Sequence, residues 1–516
     1  MKLRSVLCTL IPNPYSLIPP PYSLHQNGVK IMLLSTLAQA ASSELLEIRG
    51  DCEIGSMALD SRKKLENGLY FCIPGMRFDG HDFAPQAIQN GAVALVVTRF
   101  LDGLNVPQVK VKKVRAAMSL MAAAFYDHPE RGMKLLGITG TKGKTTTSYL
   151  VKAIMEEAGY KVGLIGTTGN MIGQEYVKSE FTTPEPIDFF RTLRMMRDAG
   201  VTVVSMEVSA HAIEMGRLAG VHFEAGCYTN LSQDHLDLFG TMERYFECKK
   251  SFFRPEWISN AAINVDDDTS KDILKDIKVP HSTYGICNNA DIFARDIEIT
   301  EDGVSFIMKL MNVNEMPVRL RLTGMFNVYN ALAAAAVALI MGVAPETITA
   351  ALEKVKGVPG RAEVLDTHTP YKVILDYSHS PDALENILIA VREFARGRVI
   401  SLFGCGGDRD HIKRPIMGEI SGRLADFSIL TSDNPRTEDP LEILAAIEDG
   451  IKKTDGKYTV IENRRDAIRY ALQMGREGDI IVLAGKGHET YQEIMGVKRP
   501  FDEKVVVAEL LKELGK

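Results

Sequence analysis

Cysteine is scarce and unpatterned in this chain: seven residues, an odd number, with no Cys-x-x-Cys pair. That argues against a disulfide framework and against a zinc site, and it points to a reducing compartment. Long apolar runs are missing too, since no stretch approaches the ~18 consecutive residues of a membrane helix. Nor is there an excess of positive charge. The formal net charge is −6, the wrong sign for a nucleic-acid binder held by bulk potential. What remains is the composition of a soluble globular protein, 45% hydrophobic and 24% charged. At 516 residues the chain is too long for one core, and domains of ~100–200 residues suggest three.

Residues 1–31 stand apart. They carry a near-repeat, Asn13-Pro14-Tyr15-Ser16-Leu17 and Pro20-Pro21-Tyr22-Ser23-Leu24, in a Pro-rich run. Lys2 and Arg4 precede an apolar stretch from Val6 to Ile11, as in a signal peptide, but the stretch is short and no small-residue cleavage site follows. The expectation is a disordered extension, translated from upstream of a natural start at Met32.

The stretch around which the chain is organised is Gly140-Thr141-Lys142-Gly143-Lys144-Thr145-Thr146. A strand-like run, Lys134 to Thr139, precedes it. Leu150, Val151, Ile154, Met155 and Ala158 follow at helical spacing, with Gly159 as a C-cap. Strand, Gly-rich turn and helix N-terminus make a phosphate-binding loop, because backbone N–H groups and the helix dipole both favour an anion. Lys144 would reach the terminal phosphates of ATP and the Thr145 hydroxyl a Mg²⁺. The spacing departs from the standard P-loop, since Ile138 stands where its first Gly would fall. The plain alternative is an ordinary Gly-rich strand-to-helix turn.

Residues 32–130 read as a small α/β domain, with a strand in Gly68–Gly75, a helix over Ala84–Asn90 and a buried strand over Ala92–Thr98. Residues 131–357 hold the phosphate loop and further strand-like runs ending in polar residues: Val201–Ser205 before Met206-Glu207-Val208-Ser209, Ala225–Thr229 before Asn230, and Ala261–Val265 before Asp266. Helical segments between them, including an Ala-rich one over Asn330–Met341, indicate a largely parallel sheet. Ligands on such sheets bind beyond the strand C-terminal ends. Gly357–Gly360 reads as a linker. Residues 358–516 repeat the logic. Val399–Phe403 leads into Gly404–Arg409, Phe427–Thr431 into Asp433-Asn434-Pro435-Arg436, and Ile480–Leu483 into Gly485-Lys486-Gly487-His488-Glu489. Three charged, Gly-containing loops on one sheet edge outline a pocket. Its arginines can grip carboxylates in bidentate fashion, and Glu489 or Asp433 can hold an ammonium. An amino acid fits that lining.

Lys249 is the odd residue of a helical stretch, Met242–Phe253. It falls on the apolar stripe of Met242, Tyr245, Phe246, Phe252 and Phe253, with Lys250 about 100° away. Burial lowers a lysine's pKa. Two readings stand: a stem lying along apolar surface with its head in water, or a neutral amine that takes up CO₂ to become a carbamate, an anionic ligand for Mg²⁺. His235 and Glu207 are further candidate metal ligands.

Four stretches together resemble the Mur ligase family: Gly-Thr-Lys-Gly-Lys-Thr-Thr (140–146), Met-Glu-Val-Ser (206–209), Thr-Asn-Leu-Ser-Gln-Asp-His-Leu-Asp (229–237) and Asp-Tyr-Ser-His-Ser-Pro-Asp (376–382). The similarity runs over about residues 32–512. It implies an α/β chain of three domains: a small N-terminal α/β domain that binds a UDP-sugar (32–130), a central P-loop-type ATPase domain with a mostly parallel sheet (131–357) and a C-terminal Rossmann-like, amino-acid-binding domain (358–516). The implied reaction is ATP-dependent amide synthesis in peptidoglycan assembly, through an acyl phosphate on the D-Glu of UDP-N-acetylmuramoyl-L-alanyl-D-glutamate. By the family pattern Thr145 and Glu207 serve one Mg²⁺, and His235 and carbamylated Lys249 (N6-carboxylysine) a second. Ser61, Thr182, Thr183, Ser209 and Arg217 contact the nucleotide sugar. Met215 stands where many relatives have Gln, so that contact passes to backbone or water. Asp433-Asn434-Pro435-Arg436 resembles the signature of members that add meso-2,6-diaminopimelate. Arg436 and Arg409 would pair with its distal end, Glu489 would take the ammonium, and Gly485 would let backbone approach. A monomer in the cytoplasm is expected, acting on small molecules and on neither nucleic acid nor membrane. The competing readings are the same ligation with L-lysine, a folylpolyglutamate-synthase-like ligase, a non-catalytic nucleotide-binding regulator and a plain P-loop ATPase. Lys144, Glu207 and Lys249 are all present, against a regulator that has lost them, and the Asp-Asn-Pro-Arg loop speaks against a folylpolyglutamate synthase.

Overall fold

The computed structural model describes residues 31–75, 78–177, 179, 181–300, 302–310 and 314–516. The expectation for the N-terminal extension thus lies outside the described residues, Ile31 excepted. The chain divides into two compact units, Met1–Asp127 and His128–Lys516. Among the described residues no helix is long and apolar enough to cross a membrane.

In the first unit five strands lie in the order Leu45–Arg49, Gln108–Val111, Ala92–Val97, Gly68–Phe71, Ser56–Ala58. All pairs are parallel except the first. Gly68–Phe71 and Ala92–Val97 are almost wholly buried, as apolar strands inside a covered parallel sheet must be. Ser61 follows the edge strand Ser56–Ala58.

The second unit contains two large sheets. The first has eleven strands. Its middle runs Val162–Gly166, Val203–Glu207, Lys134–Thr139, Phe223–Tyr228, Ile258–Asn264, His281–Gly285, all parallel. Lys134–Thr139 therefore has a parallel neighbour on each side, and Glu207 lies level with Ile138, Tyr228 with Thr139. The phosphate loop leaves the sheet between two other strand ends. Gly137 explains how that strand is backed: a Cβ there would lie 2.7 Å from Phe252 and 2.9 Å from Phe223. The missing side chain lets Phe252, at the C-terminal end of the helix Met242–Ser251, press against the strand. Behind the loop, the helix Lys144–Glu157 packs Leu150, Val151, Ile154 and Met155 into the same core as the helix Met325–Ile340, whose row of buried alanines allows close approach. Gly159 ends the first helix at φ +87°, the left-handed C-cap that its sequence suggested.

The sheet is parallel only in its middle. A hairpin, Gly169–Ile172 and Glu175–Val177, closes one flank; on the other, Ile292–Thr300 pairs parallel with His281–Gly285, and Gly303–Leu310 and Asn314–Leu320 follow antiparallel.

The second sheet has six strands, in the order Glu363–Leu365, Lys372–Asp376, Ile480–Ala484, Val399–Phe403, Phe427–Leu430, Tyr458–Val460. All but the first pair are parallel. Alternation along its strands feeds two cores, Ile374, Phe403 and Val482 on one face and Leu375, Leu402 and Leu483 on the other. One charged pair is sealed behind this sheet. Arg464 and Glu503 are both fully buried and 2.8 Å apart. Arg464 also donates to the carbonyls of Ala484, at 2.9 Å, and Ser432, at 3.4 Å. Glu503→Gln would leave the guanidinium buried without a counter-charge, so the unfolding free energy of this part should fall by about 3–5 kcal/mol. Urea denaturation reads this directly, and an unchanged midpoint would show that the pair is dispensable.

Candidate active site

The phosphate loop is fixed by close backbone approach. Gly140 has φ +143° and a Cβ on it would lie 1.9 Å from Thr229 Oγ1; Gly143 has φ +84° and a Cβ there would lie 2.5 Å from Asn330 Oδ1. Asn230 serves the loop as an adapter. Its carbonyl accepts from Thr141 N at 2.8 Å and its Oδ1 from Lys142 N at 2.9 Å, while Thr229 Oγ1 donates to Lys142 O at 2.6 Å. The helix begins at Lys144 without a side-chain cap, which leaves its first N–H groups for an anion. Thr145 and Thr146 are buried in that first turn.

Two lysines meet at this loop. Lys144 Nζ donates to the carbonyls of Gly140 and Thr141, both at 2.9 Å. Lys249 Nζ donates to the same Gly140 carbonyl at 2.8 Å. Burial pulls Lys144 down to about 8, against the opposing pull of Glu207. Burial, and then the charge of Lys144, push Lys249 well below the usual lysine range. Lys249 is 1% exposed, so its head does not reach water, and the snorkelling alternative fails. Its Nζ lies 4.6 Å from the centre of the Tyr245 ring, and the His235 ring lies 6.0 Å from the same ring. His235 adopts φ +55° and also meets His211, ring centres 4.5 Å apart. Burial brings His235 down to about 4, which leaves its imidazole neutral near pH 7. Glu207 is buried and accepts from Thr167 N at 2.8 Å and Thr167 Oγ1 at 3.0 Å.

Among the described residues no group of three or more His, Cys, Asp or Glu side chains could hold a metal by itself. A hydroxyl and one carboxylate beside a phosphate loop nonetheless fit Mg²⁺, which keeps several waters and takes the rest of its shell from carboxylates and substrate phosphates.

The other expected contacts fall into groups. Thr183 Oγ1 donates to the Glu207 carbonyl at 2.7 Å and accepts from Ser209 N at 3.0 Å. Arg217 donates to the Thr183 carbonyl at 2.9 Å and pairs with Glu185 at 3.0 Å. Thr182 Oγ1 is 3.0 Å from Thr167 Oγ1. Thr182, Thr183, Ser209 and Arg217 thus gather around the end of the Glu207 strand. Met215 turns its sulfur to the Arg217 guanidinium at 3.8 Å. In the first unit, Ser61 donates to Gln86 Oε1 at 2.7 Å.

The three charged loops leave neighbouring strands on one edge, as their spacing suggested. Asp433 is buried, and a Cβ on Gly485 would lie 2.5 Å from its Oδ2, so the glycine is needed for that approach. Arg436 donates to the Gly407 carbonyl at 2.6 Å, and Arg409 is exposed on the facing loop. Glu489 is already held by Asn434 Nδ2 at 2.9 Å and by the fully buried ammonium of Lys486 at 3.1 Å.

The link to the phosphate loop is carried by Arg361, Ser380 and His488, of which only Arg361 lies outside the stretches quoted from the sequence. Arg361 donates to Thr145 Oγ1 at 2.9 Å and lies over the Tyr377 ring. Lys142 Nζ donates to Ser380 Oγ at 3.0 Å. His488 Nε2 donates to the Thr167 carbonyl at 3.1 Å.

Residues 138–338 match the Mur ligase middle domain, residues 360–487 the Mur ligase, glutamate ligase domain, and residues 53–126 the Mur ligase family, catalytic domain. UDP-N-acetylmuramoyl-L-alanyl-D-glutamate--2,6-diaminopimelate ligase 1 of Clostridium acetobutylicum is 46% identical over 466 residues, 90% of this chain and 95% of its own. The corresponding ligase of Geobacillus thermodenitrificans is 43% identical over 492 residues, 93% of this chain and 100% of its own. A solved structure of such a ligase shares 32% identity at a TM-score of 0.64, covering 90% of this chain and 96% of that one. A MurF ligase from Thermotoga maritima, solved in complex with ADP, shares the fold at 18% identity and a TM-score of 0.61, with 89% and 97% covered. With all three family domains matched in order and relatives of near-equal length aligned almost end to end, the chain belongs to the Mur ligase family.

Proposed function

We propose that this protein is the ATP-dependent ligase that joins meso-2,6-diaminopimelate to UDP-N-acetylmuramoyl-L-alanyl-D-glutamate during peptidoglycan assembly. The observation that carries the reading is the bridging of two sets of loops within one compact unit. Arg361 and Ser380 reach the phosphate loop, and the same domain presents Asp433, Arg436 and Glu489. The names of the relatives supply the substrates. In this reading residues 32–130 bind the UDP-sugar, with Ser61 as a contact; residues 131–357 bind ATP; and residues 358–516 bind the amino acid. The enzyme acts as a monomer in the cytoplasm.

The chemistry follows from the charges. A carboxylate does not accept an amine until one of its oxygens becomes a leaving group. A D-Glu carboxylate oxygen attacks the γ-phosphorus of ATP, the bond to the β-phosphate bridge breaks, and ADP and an acyl phosphate form. The neutral amine of the amino acid then attacks the acyl carbon. That attack forms the C–N bond and the tetrahedral intermediate, the amine's proton passes to solvent, and collapse of the intermediate re-forms the carbonyl as the bond to phosphate breaks. Both reactants of the first step are anions, so positive groups must converge where they meet. Lys144 and the helix N-terminus hold the phosphates, and Lys142 and Arg361 add charge from either side. Thr145 with Glu207, and His235 with a Lys249 carbamate, would hold Mg²⁺ ions. When bound, these would neutralise the transferring phosphoryl group. Thr182, Thr183, Ser209 and Arg217 orient the sugar-peptide. The distal amino-acid end is read by Arg436 with Arg409. Diaminopimelate is lysine with a second carboxylate on its far carbon, the group that a guanidinium grips in bidentate fashion and that lysine cannot offer.

Two outcomes are expected. Phosphate release from ATP with the UDP-sugar dipeptide should be far faster with meso-diaminopimelate than with L-lysine; equal rates or a lysine preference would overturn the substrate assignment. ATP binds the protonated form of Lys144, which titrates at about 8. In protein freed of CO₂, where Lys249 carries no carbamate, the affinity for ATP should therefore fall about tenfold per pH unit above that value, and a flat binding profile to pH 9.5 (about 1.5 units beyond it) would remove Lys144 from the binding step.

A further inference from the structure

The loop that carries Arg436 is in an unfavourable conformation. Arg436 has φ +53°, and Asp408, on the neighbouring loop, has φ +55°. Left-handed backbone is unfavourable for a non-glycine residue, so something must hold both. Their loops are bound to each other at several points. Gly407 N donates to the Asn434 carbonyl at 2.9 Å. Thr437 Oγ1 donates to Asp408 Oδ1 at 2.7 Å and Thr437 N to Asp408 Oδ2 at 3.3 Å. Glu438 accepts from the Asp408 amide and from Arg414 Nη2 at 3.0 and 2.8 Å. Arg414 is 3% exposed, so Glu438 is its counter-charge inside the protein. Gly407 permits the approach, since a Cβ there would lie 1.9 Å from the Pro435 carbonyl oxygen. The outcome is a fixed direction for Arg436, whose Nη1 ends on the Gly407 carbonyl.

We infer that Glu438, Arg414, Thr437 and Asp408 form a lock between these two loops that positions Arg436 and Arg409 and so sets the affinity for the amino-acid substrate. They are positioning residues and act only through the two arginines. The inference rests on the reading of Arg436 as an amino-acid contact. Its logic is geometric: Arg436 and Arg409 stand on different loops, and two cations recognise one polar end of a substrate only if their separation is held. A misplacement of about 1 Å at such a contact is enough for large losses. Neither ATP nor the sugar-peptide is assigned to these loops, so the effect should be confined to one substrate.

The test is steady-state kinetics of the full-length enzyme with each substrate varied in turn, for Glu438→Gln, Thr437→Val and Thr437→Ser. Glu438→Gln keeps an acceptor for the Asp408 amide but removes the counter-charge of Arg414. Thr437 is exposed, so its variants fold. The expected result for Glu438→Gln and Thr437→Val is a rise of about tenfold or more in the KM for diaminopimelate, with the KM for ATP within about twofold of wild type. Thr437→Ser should restore the wild-type value. An unchanged amino-acid KM in Thr437→Val would overturn the lock, as would an equal rise in the KM for ATP. Should Glu438→Gln not fold, the Thr437 pair decides alone. If the wild-type enzyme turns out to use lysine, the substrate assignment fails while the lock is scored in the same way with lysine as the varied substrate.

Discussion

Everything at the centre of this protein depends on two amines sharing one carbonyl oxygen. Lys144 and Lys249 both end on Gly140 O, at 2.9 and 2.8 Å. Two ammonium groups that close, both cut off from water, repel strongly. Lys144 sits at the proposed phosphate site and has Glu207 to favour its charge. Lys249 lacks such a carboxylate as its leading influence and is pushed well below the usual lysine range by burial and then by Lys144. Its place is not accidental. Gly137 leaves room for Phe252 against the central strand, which seats the helix Met242–Ser251 and turns Lys249 into the loop. A neutral lysine is a nucleophile towards CO₂. In the proposed carbamate the amine nitrogen bonds to carbon, a proton leaves, and a neutral group becomes an anion that could face a metal.

The second constraint is that no single sheet holds all the chemistry. In the proposed reaction the phosphate loop would supply the activated phosphate, while the loops after Phe403, Leu430 and Ala484 would choose the partner amine. Arg361, Ser380 and His488 are the contacts that join them in this structure. Arg361 and Thr145 share a bond across the two sheets' loops, so the hydroxyl proposed for the metal is in reach of a cation from the amino-acid domain. Phosphate binding and amino-acid selection can thus be read as parts of one closed arrangement.

Much of this was legible in the chain. Gly140, Gly143 and Lys144 between an apolar run and a helical stripe marked a Gly-rich strand-to-helix turn, and the structure has that turn between the strand Lys134–Thr139 and the helix Lys144–Glu157. The strands ending at Phe403, Leu430 and Ala484 announced their loops by an abrupt change from apolar to Gly and charge. The inward face of Lys249 could be read from helical spacing, but its contact with Gly140 could not, because that contact spans most of a domain's sequence. The antiparallel flanks were missed. The hairpin at Gly169–Val177 is short and only half apolar, and the strands from Ile292 to Leu320 alternate like any edge of a sheet with one face in water. Arg361, Lys486 and the Arg414–Glu438 pair were also invisible, since a buried charge is defined by its partner and sequence does not give partners. Glu489 shows the cost of that: its chemistry was plain, but its existing tie to Lys486 was not.

The direct test of the central claim is carbon NMR of the protein equilibrated with isotopically labelled bicarbonate. The account predicts one carbamate resonance in the wild type that is absent from Lys249→Ala, together with loss of turnover in that variant while the UDP-sugar dipeptide still binds. A fully active Lys249→Ala enzyme, or a wild type that is active without any carbamate signal, would contradict it.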